Sequence, residues 1–503
     1  MATLTLPSIT WSWLWIASGW GLHILCFVLV TLHSLRSRRE PSSSLVWIFL
    51  AWSIPFVGPL LYVSIGVDRV PDKGFKKHIN DQLFLEEREA KEEEALPLAY
   101  WHAVHRKSVH GKAESELGRE LNKAMDTILP EYPMLTGNDI QPLVTGDEAY
   151  PKMLEAIESA ESHIHLQSFI IQNDKTGRRF MRALARKAIK GVKVRVLFDR
   201  FGSTQAFLTG LIWHYRKVPN MTVVGWTQAN PLKRQFQLNL RNHRKTLIID
   251  GKLAFTGGIN LHRENITRRK KQPIRDYHFE LQGPVVQELQ YSFLRDWYFM
   301  TDENADELLK EENFPTIASA GKISARLLNS GPTSEKESIT DIVFMAITQA
   351  HKQILMVTPY FVPPPDIIRA LRSAALRGID VRLITPAKNN HIYAGLAERS
   401  FYEDLLESGV RIFNRAPPFM HAKAMLIDNH CAIVGTANLD VRSLRLNYET
   451  NIVVYNEAFS DKMKRIVLDD EAQSEEVILA QWRIRPAWKR MAENLAFLLS
   501  PVL

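Results

Sequence analysis

Two segments of the chain carry the same polar residues at the same spacing. The first is NHRKTLIIDGKLAFTGGIN, from position 242 to 260, and the second is MHAKAMLIDNHCAIVGTAN, from 420 to 438. In each, a lysine follows a histidine by two residues and an aspartate follows it by seven. A glycine comes seven residues after the aspartate, and an asparagine three residues after the glycine. The candidate catalytic residues are His243, Lys245, Asp250, His421, Lys423 and Asp428.

These residue types suit the transfer of a phosphodiester group. A phosphodiester is anionic, and the two lysines with Asn260 and Asn438 can hold its non-bridging oxygens. One imidazole can attack phosphorus and form a covalent phosphohistidine, while the other protonates the leaving alkoxide and then deprotonates the incoming alcohol. We expect each motif aspartate to fix the tautomer of its histidine by accepting a ring N–H. Because the lysines supply the positive charge, this chemistry needs neither a metal nor a cofactor.

The spacing also predicts how the chain positions these groups. A histidine and a lysine two residues apart on a strand point to the same face. The apolar stretches 247–249 and 425–427 are typical of buried strands, and the next apolar stretches end at glycines. The pattern therefore predicts a strand hairpin in each segment, which returns the asparagine towards the histidine and lysine.

An internal repeat surrounds the two motifs. AIESAESHIHLQSFII from Ala156 and ALARKAIKGVKVRVLFD from Ala183 correspond to AITQAHKQILMVTPYF from Ala346 and ALRSAALRGIDVRLITP from Ala370. Each copy is typical of a helix, a buried strand, a second helix, a glycine and another strand. Strand–helix–strand crossovers predict an α/β fold with largely parallel sheets covered by helices. The motifs lie at equivalent points of the repeat, so we expect them to form two halves of one site.

The N-terminal region is typical of a membrane anchor. Residues 11–33 and 45–67 contain no Asp, Glu, Lys or Arg, and each run is long enough to cross a bilayer as a helix. The sequence predicts a two-helix transmembrane hairpin, with the second helix kinked at Pro55, Gly58 and Pro59. Basic residues lie both in the loop between the two helices and just after the second helix, so the side of the membrane that holds the rest of the chain stays open.

The boundaries of the parts follow from these patterns. We expect a membrane anchor over residues 1–70, a charged linker and helical region over 71–135, and α/β halves over 136–315 and 316–503. The net charge of +8 suits a surface that meets anionic lipid or nucleic acid and does not choose between them. The two cysteines have no Cys or His neighbours at metal-ligand spacing, so we infer no zinc site.

The chain resembles the phospholipase D superfamily and, within it, the bacterial cardiolipin synthases. The resemblance covers nearly the whole chain. Its segments are PFVGPLLYVSIG from Pro55, RNHRK from Arg241, FTGGIN from Phe255, RDYHFELQGP from Arg275, TPYFVPP from Thr358, ANLDVRS from Ala437 and LNYETN from Leu446. It implies two α/β halves sharing one site in a multi-pass protein of the bacterial cell membrane. It also implies transfer of a phosphatidyl group from one phosphatidylglycerol to another, giving cardiolipin and glycerol, with His243 as nucleophile and His421 as acid and base.

Three other functions compete with this one. A hydrolase of the same superfamily would pass the phosphatidyl group to water, and the same motifs serve both reactions. A nuclease would suit the basic charge, but two membrane spans argue against nucleic acid as a partner, and intact motifs argue against an inactive scaffold. Glu449 is either a support for the second motif or an ordinary strand carboxylate. The donor lipid, phosphatidylglycerol or phosphatidylethanolamine, and the oligomeric state stay open.

Overall fold

The protein divides into two compact units in a computed structural model. The model describes residues 10–36, 41–63, 70–93, 115–128, 132–226, 241–268, 273–301, 303–331 and 338–498. The first unit ends at Asp72 and the second begins at Lys73.

The first unit contains the apolar helices. They are α1 (Thr10–Arg36), α2 (Pro41–Ser53) and α3 (Val57–Leu61). Within the described residues, one helix is long and apolar enough to cross a membrane, over Ser18–Arg36 of α1. The 13 residues of α2 rise about 20 Å, which is short of the roughly 30 Å hydrocarbon core.

The second apolar run reverses direction after α2. Phe56 takes a left-handed conformation with φ of 60°. Gly58 then lies against the Leu50 carbonyl so closely that a Cβ there would be 2.1 Å from the oxygen. The rings of Trp47 and Tyr62 lie 5.6 Å apart, whereas 15 residues of continuous helix would separate them by about 22 Å. The predicted second spanning helix is therefore not confirmed, because the run folds back where a simple kink was expected.

The second unit holds the repeat. Its helices are α4 (Val70–Glu93), α5 (Glu116–Ile128), α6 (Thr145–Ser159), α7 (Lys175–Ile189), α8 (Thr204–Leu208), α9 (Leu211–Tyr215), α10 (Val285–Met300), α11 (Ala305–Leu308), α12 (Ser338–Thr348), α13 (Pro365–Leu376), α14 (Ile392–Ser400), α15 (Tyr402–Glu407), α16 (Val441–Arg445), α17 (Glu457–Ala472), α18 (Leu479–Arg483) and α19 (Ala487–Phe497). Short 3-10 turns lie at Arg263–Asn265 and Glu311–Asn313.

The strands form one large sheet and two small ones. They are β1 (Leu135–Val144), β2 (His163–Ser168), β3 (Lys193–Asp199), β4 (Met221–Trp226), β5 (Thr246–Ile249), β6 (Leu253–Gly257), β7 (Ile274–Arg275), β8 (Tyr277–Gln282), β9 (Ile323–Ser330), β10 (Gln353–Val357), β11 (Phe361–Val362), β12 (Asp380–Pro386), β13 (Arg411–Arg415), β14 (Phe419–Met420), β15 (Ala424–Ile427), β16 (Cys431–Gly435), β17 (Leu439–Asp440), β18 (Glu449–Tyr455) and β19 (Ser474–Glu476). Among the described residues the large sheet has the order β19-β13-β12-β10-β15-β16-β18-β9-β1-β8-β6-β5-β2-β3-β4.

The repeat is visible in that order. The first half runs from β4 inward to β1, and the second half runs from β13 inward to β9, with equivalent strands in the same order. The two halves meet where β1 pairs with β9. The prediction of largely parallel sheets is wrong for the large sheet, because within it only the β2–β3–β4 and β10–β12–β13 neighbours run parallel. The two small sheets, β7–β14 and β11–β17, are parallel. Each motif instead builds a tight hairpin, β5–β6 or β15–β16, and a short turn can join only antiparallel strands. The fold is thus a mixed α/β sheet, continuous through both halves.

The glycine-permitted bend that the motifs predict is present in both hairpins. Gly257 ends β6 with φ of 143°, and Gly435 ends β16 with φ of 157°. A Cβ at Gly257 would lie 2.7 Å from the Tyr277 carbonyl oxygen, and one at Gly435 would lie 2.4 Å from that of Thr450. Only glycine allows the neighbouring strand to approach this closely.

Candidate active site

His243 is buried at the join between the two halves. It lies just ahead of β5, and its backbone N–H donates to the Tyr448 carbonyl at 2.9 Å. Its ring Nδ1 is 2.9 Å from both carboxylate oxygens of Glu449. The ring of Phe169, which follows β2, meets the imidazole edge-on at 4.9 Å between centroids. The first motif's histidine is therefore held by a carboxylate from the second half.

His421 is held in the converse way. Its backbone N–H donates to the Arg275 carbonyl at 2.8 Å, where β14 pairs with β7 of the first half. Its Nδ1 lies 2.6 Å from Oδ2 of Asp276. The ring of Tyr360 lies 6.3 Å from the imidazole. Each histidine thus takes its orienting carboxylate from the other half, so neither half contains a complete site.

The two motifs share one electrostatic environment. The Lys245 ammonium donates a hydrogen bond to the His243 carbonyl at 2.6 Å, and the Lys423 ammonium lies 2.8 Å from Nδ1 of His421. The charge of Lys423 lowers the pKa of His243, and that of Lys245 lowers the pKa of His421. The prediction that the repeat brings both motifs into one site agrees with this geometry.

Burial is the largest influence on the titration of these groups. It lowers the pKa of His243 to about 4 and that of His421 to about 3, so both rings are neutral at pH 7 in the unliganded site. It also lowers the pKa of Lys245 to about 7 and that of Lys423 to about 8. The site is therefore poised for an anion, because a bound phosphodiester would favour the charged forms of all four groups.

The lowered lysine pKa values predict an alkaline limb in kcat/KM, which reports the free enzyme. A lysine holds phosphate only as the cation, which is lost as pH rises through its pKa. With Lys245 near 7 and Lys423 near 8, we expect kcat/KM to decline above neutral pH. Lys245→Arg keeps its charge, so the onset of the decline should move up by about one unit. An unchanged pH profile in that variant would show that Lys245 does not hold the phosphate.

The motif aspartates do not contact the histidines, and the prediction that they fix the tautomers is wrong. The Asp250 carboxylate accepts the backbone N–H groups of residues 161, 162 and 163, each at 2.8 Å. Asp428 does the same for residues 351, 352 and 353, at 2.7 to 2.9 Å. Both aspartates sit in the hairpin turn with φ of 51°, a conformation that Asp tolerates better than most residues. They anchor the turn to the start of the neighbouring strand.

Asp250→Ala is accordingly expected to reduce stability more than chemistry. Three backbone donors lose their acceptor, and alanine is disfavoured at this φ, so the free energy of unfolding should fall by roughly 2–4 kcal/mol. Denaturant unfolding measures this loss. Asp250→Asn is the control, because it keeps one acceptor oxygen and tolerates the left-handed turn. If Asp250→Ala unfolds at the wild-type midpoint yet loses all turnover, the anchoring role is incorrect.

The two motif asparagines differ in the polar atoms that they leave available. Oδ1 of Asn260 accepts the Ile170 N–H at 3.0 Å, so its amide NH2 remains the group able to donate to a phosphate. The Asn438 amide hydrogen-bonds to Asp440, and its Oδ1 is buried without a partner among the described residues. Within the described residues, no group of three or more His, Cys, Asp or Glu side chains is arranged to hold a metal ion.

A second layer of polar groups positions the first histidine. Glu449 accepts the Thr436 hydroxyl at 2.6 Å and the Asn447 amide at 3.2 Å. The buried Asp296 accepts hydrogen bonds from the side chains of Gln167, Asn242 and Arg244. It also forms an ion pair with Lys77 of α4 at 3.2 Å. The charged helix α4 therefore reaches the wall beside His243 through Lys77.

The sequence analysis missed Asp276 and named Glu449 only as one of two alternatives, a support for the second motif, whereas Glu449 contacts the histidine of the first motif. The sequence contained a signal for both carboxylates. Asp276 immediately precedes β8, and Glu449 begins β18, so both stand at the same point of the repeat, one strand after the motif hairpin. Burial disfavours their ionisation, but the lysine charges and the hydrogen bonds from the histidine rings outweigh it. Lys423 and His421 lower the pKa of Asp276, while His243 and Lys245 lower that of Glu449. Both carboxylates are consequently ionised at neutral pH and can orient a ring N–H.

The fold and the site together define a class: duplicated α/β proteins in which two His-Lys motifs share one phosphodiester-transfer site. The family model described as the PLD-like domain of cardiolipin synthase matches residues 153–297 and 343–470, and the model described as the phospholipase D-nuclease N-terminal region matches residues 21–66. The chain belongs to the cardiolipin synthase family of phospholipase D-like proteins.

Curated relatives agree over nearly the full length. The chain is 33% identical to the cardiolipin synthase of Geobacillus kaustophilus, covering 95% of this chain and 92% of that protein. It is 32% identical to cardiolipin synthase 1 of Bacillus anthracis over 97% and 93%, and 31% identical to the cardiolipin synthase of Staphylococcus aureus over 96% of each. The crystal structure of a phosphatidylserine synthase from Haemophilus influenzae shares the fold, with a TM-score of 0.58 and 16% identity, over 76% of this chain and all of that one.

Proposed function

We propose that this phosphatidyltransferase joins two phosphatidylglycerol molecules into cardiolipin and releases glycerol. The observation that carries the proposal is the pair of histidines, each oriented by a carboxylate from the opposite half. Two oriented imidazoles at one site provide a nucleophile and a proton carrier, and the two lysines with the Asn260 amide can hold the phosphate. The Asn438 amide, which the sequence predicts as a further phosphate ligand, is instead hydrogen-bonded to Asp440. The membership of the cardiolipin synthase family supports a lipid as the phosphodiester.

In the first step, Nε2 of His243 attacks the phosphorus of the donor. The new P–N bond forms as the P–O bond to the glycerol headgroup breaks, and Nε2–H of His421 gives its proton to the departing oxygen. Glu449 on Nδ1 of His243 holds the ring so that Nε2 faces the substrate as the unprotonated nitrogen. His421 can act as the acid because a bound anion and Asp276 both favour its charged form.

In the second step, the now neutral His421 removes a proton from a hydroxyl of the acceptor phosphatidylglycerol. The hydroxyl oxygen forms a bond to phosphorus as the P–N bond breaks, which restores His243 and completes cardiolipin. Lys245, Lys423 and the Asn260 amide would hold the non-bridging oxygens through both steps. We assign the attack to His243, as the family resemblance implies, and the assignment is tested in the Discussion.

The test uses purified full-length protein with phosphatidylglycerol labelled in its headgroup. Release of glycerol together with a four-chain lipid supports the proposal. Phosphatidic acid as the sole lipid product would show a hydrolase instead. A parallel reaction containing labelled phosphatidylethanolamine identifies the donor, since release of ethanolamine would assign the phosphatidyl group to that lipid.

The first unit would attach the enzyme to its substrate's membrane. Helix α1 has the length and composition of a single crossing, while the folded-back α2–α3 run is too short to cross in the same way. We infer one crossing. Reporters fused at the two ends test this, because one crossing puts the N-terminus and the C-terminus on opposite faces. Reporters on the same face would restore the two-helix, multi-pass arrangement that the sequence predicts.

A further inference from the structure

An apolar stripe on α19 faces solvent. Its members are Trp488, Met491 and Leu495, which are between 66% and 71% exposed and recur at spacings of three and four residues. Leu498, the C-cap residue, continues the spacing and is 72% exposed, and Ile484, ahead of the helix, is 83% exposed. A surface helix of a globular protein normally turns such a stripe towards the core. Single exposed apolar residues are ordinary, but a group of large ones on one helix face marks an interaction surface.

The packing of α19 fixes the stripe in this outward orientation. The opposite face of the helix buries Glu493 and Ala496, and Ala496 packs against Val362 and Ala397. The ring of Phe497 meets that of Phe401 at 5.2 Å. The helix is thus docked on α14 and its neighbours by one face, and the stripe is the face that remains without a partner among the described residues.

The charge around the stripe is basic. From residue 478 to 498 the chain contains four basic side chains and a single acidic one, Glu493, which is paired with Arg485 at 2.6 Å. Arg483 is paired with two glutamates of α15. Lys489 and Arg490 lie in the first turn of α19, off the stripe, and make no ion pair with any residue that the structure describes. A row of apolar side chains with an edge tryptophan and flanking cations matches the pattern of a helix that lies in the headgroup region of an anionic bilayer.

The helix that carries α19 begins close to the candidate active site. His421 lies 6.3 Å from the Tyr360 ring, and Tyr360 lies 5.6 Å from the ring of His391, which is the N-cap residue of α14. The next two residues, Ile392 and Tyr393, are exposed. Because α19 packs on α14, the stripe belongs to the same part of the second half as His421.

The first half exposes apolar residues at the corresponding place. The segment after β3 occupies the position that α14 and α15 occupy after β12, and it exposes Phe201, Leu208 and Trp213. Gly202 of this segment packs against the carbonyl of Phe169, whose ring touches His243. Both halves therefore present apolar surface beside their own histidine.

At the N-terminal ends of the parallel strands, the described residues form no such row of exposed apolar side chains. There α7 and α13 end ahead of β3 and β12, and each exposes a single large apolar residue at its last position, Ile189 or Leu376. These two residues occupy equivalent points of the repeat and provide a matched control. Exposed apolar residues are thus concentrated at the ends of the strands that carry the histidines, which is the reason to interpret the stripe as an interaction surface.

We propose that α19 is an interfacial helix that lies in the surface of a membrane rich in anionic phospholipid. Its stripe enters the boundary between headgroups and acyl chains, while Lys489 and Arg490 meet the phosphates. This contact is separate from the attachment by α1 and would place the opening beside His421 at the lipid surface. A lipid substrate then enters the site without leaving the bilayer.

Fluorescence quenching tests the contact directly and does not depend on catalysis. Full-length protein with Cys26→Ser is labelled with an environment-sensitive fluorophore at Leu495→Cys or, as the control, at Leu376→Cys; the native Cys431 is fully buried. In phosphatidylglycerol nanodiscs containing spin-labelled acyl chains, the label at 495 should be quenched several times more than the label at 376. Equal quenching overturns the proposal. Protection of 495 from a water-soluble quencher without quenching by lipid also overturns it, because a protein surface then covers the stripe.

A kinetic comparison tests what the contact does for the proposed reaction. Surface docking stabilises ground and transition states alike, so its loss raises KM and leaves kcat nearly unchanged. Replacing Trp488, Met491 and Leu495 by serine should raise the KM, in mole fraction of phosphatidylglycerol, about tenfold. The control variant with serine at 189 and 376 should keep the wild-type KM. If the label in the Leu495→Cys protein is quenched by lipid but the stripe variant keeps the wild-type KM, the membrane contact stands and its link to substrate access is overturned.

Discussion

When the donor has a leaving group that needs no proton, we expect the His421→Ala enzyme to complete the first half-reaction, the transfer of the phosphatidyl group to His243. The His243→Ala enzyme should not be able to begin it. With phosphatidyl-p-nitrophenol as donor, His243 attacks and nitrophenolate leaves without an acid. The His421→Ala enzyme should then release one equivalent of nitrophenolate and stall as the phosphohistidine, because no base activates the acceptor. His243→Ala lacks the nucleophile and should release none. With phosphatidylglycerol, both variants should lose at least about a thousandfold in kcat.

Rapid-mixing absorbance measures the burst, and mass spectrometry under alkaline conditions locates the phosphorylated peptide. Unfolding midpoints confirm that both variants remain folded. A burst in His243→Ala and none in His421→Ala would reverse the roles of the two histidines. If neither folded variant gives a burst or a labelled peptide, the covalent intermediate is incorrect and a direct displacement replaces it.

Glu449→Gln and Asp276→Asn are expected to lower kcat by roughly a hundredfold to ten-thousandfold with little change in folding. Each replacement keeps the shape of the side chain and removes the charge that orients Nδ1–H of the partner histidine. Because Glu449 raises the pKa of His243, its loss should lower that pKa further and weaken the ring as a base. Steady-state kinetics over a pH series measures both effects.

The matched controls are the aspartates of the motifs themselves. Asp250→Asn and Asp428→Asn alter carboxylates that bind backbone N–H groups and do not contact the ring of either motif histidine. They should retain most of kcat while losing some stability. The opposite result, with kcat lost in the motif variants and kept in Glu449→Gln and Asp276→Asn, would show that the motif carboxylates orient the rings after all.

The sequence alone predicted the chemistry and the hairpins that carry it, because the motif is local. A histidine, a lysine and an aspartate within eight residues, followed by a glycine and an asparagine, predict a strand, a tight turn and a returning strand, and the structure forms both hairpins. Alternation along strands and the steric demand of Gly257 and Gly435 act over a few residues. The duplication of the pattern then indicated a single site formed from two halves.

The parallel pairing was overpredicted for a related reason. The helical crossovers that define the repeat do produce parallel neighbours, but only among the strands that they connect. The strands that carry the motifs follow each other through short turns, so they add antiparallel neighbours in the middle of the sheet. Hydrophobic patterns show that a strand is buried and leave its neighbour unspecified.

Only the tertiary structure decided which carboxylates serve the histidines. The partner of His243 lies 206 residues away, and that of His421 lies 145 residues away. The nearer motif aspartates are engaged by the backbone N–H groups that lead into the neighbouring strand. In the same way, the folding back of the second apolar run depends on a contact between Gly58 and Leu50 that composition does not encode. Residue types and spacing fix what the site can do, whereas hydrogen-bond partners depend on which strands become neighbours.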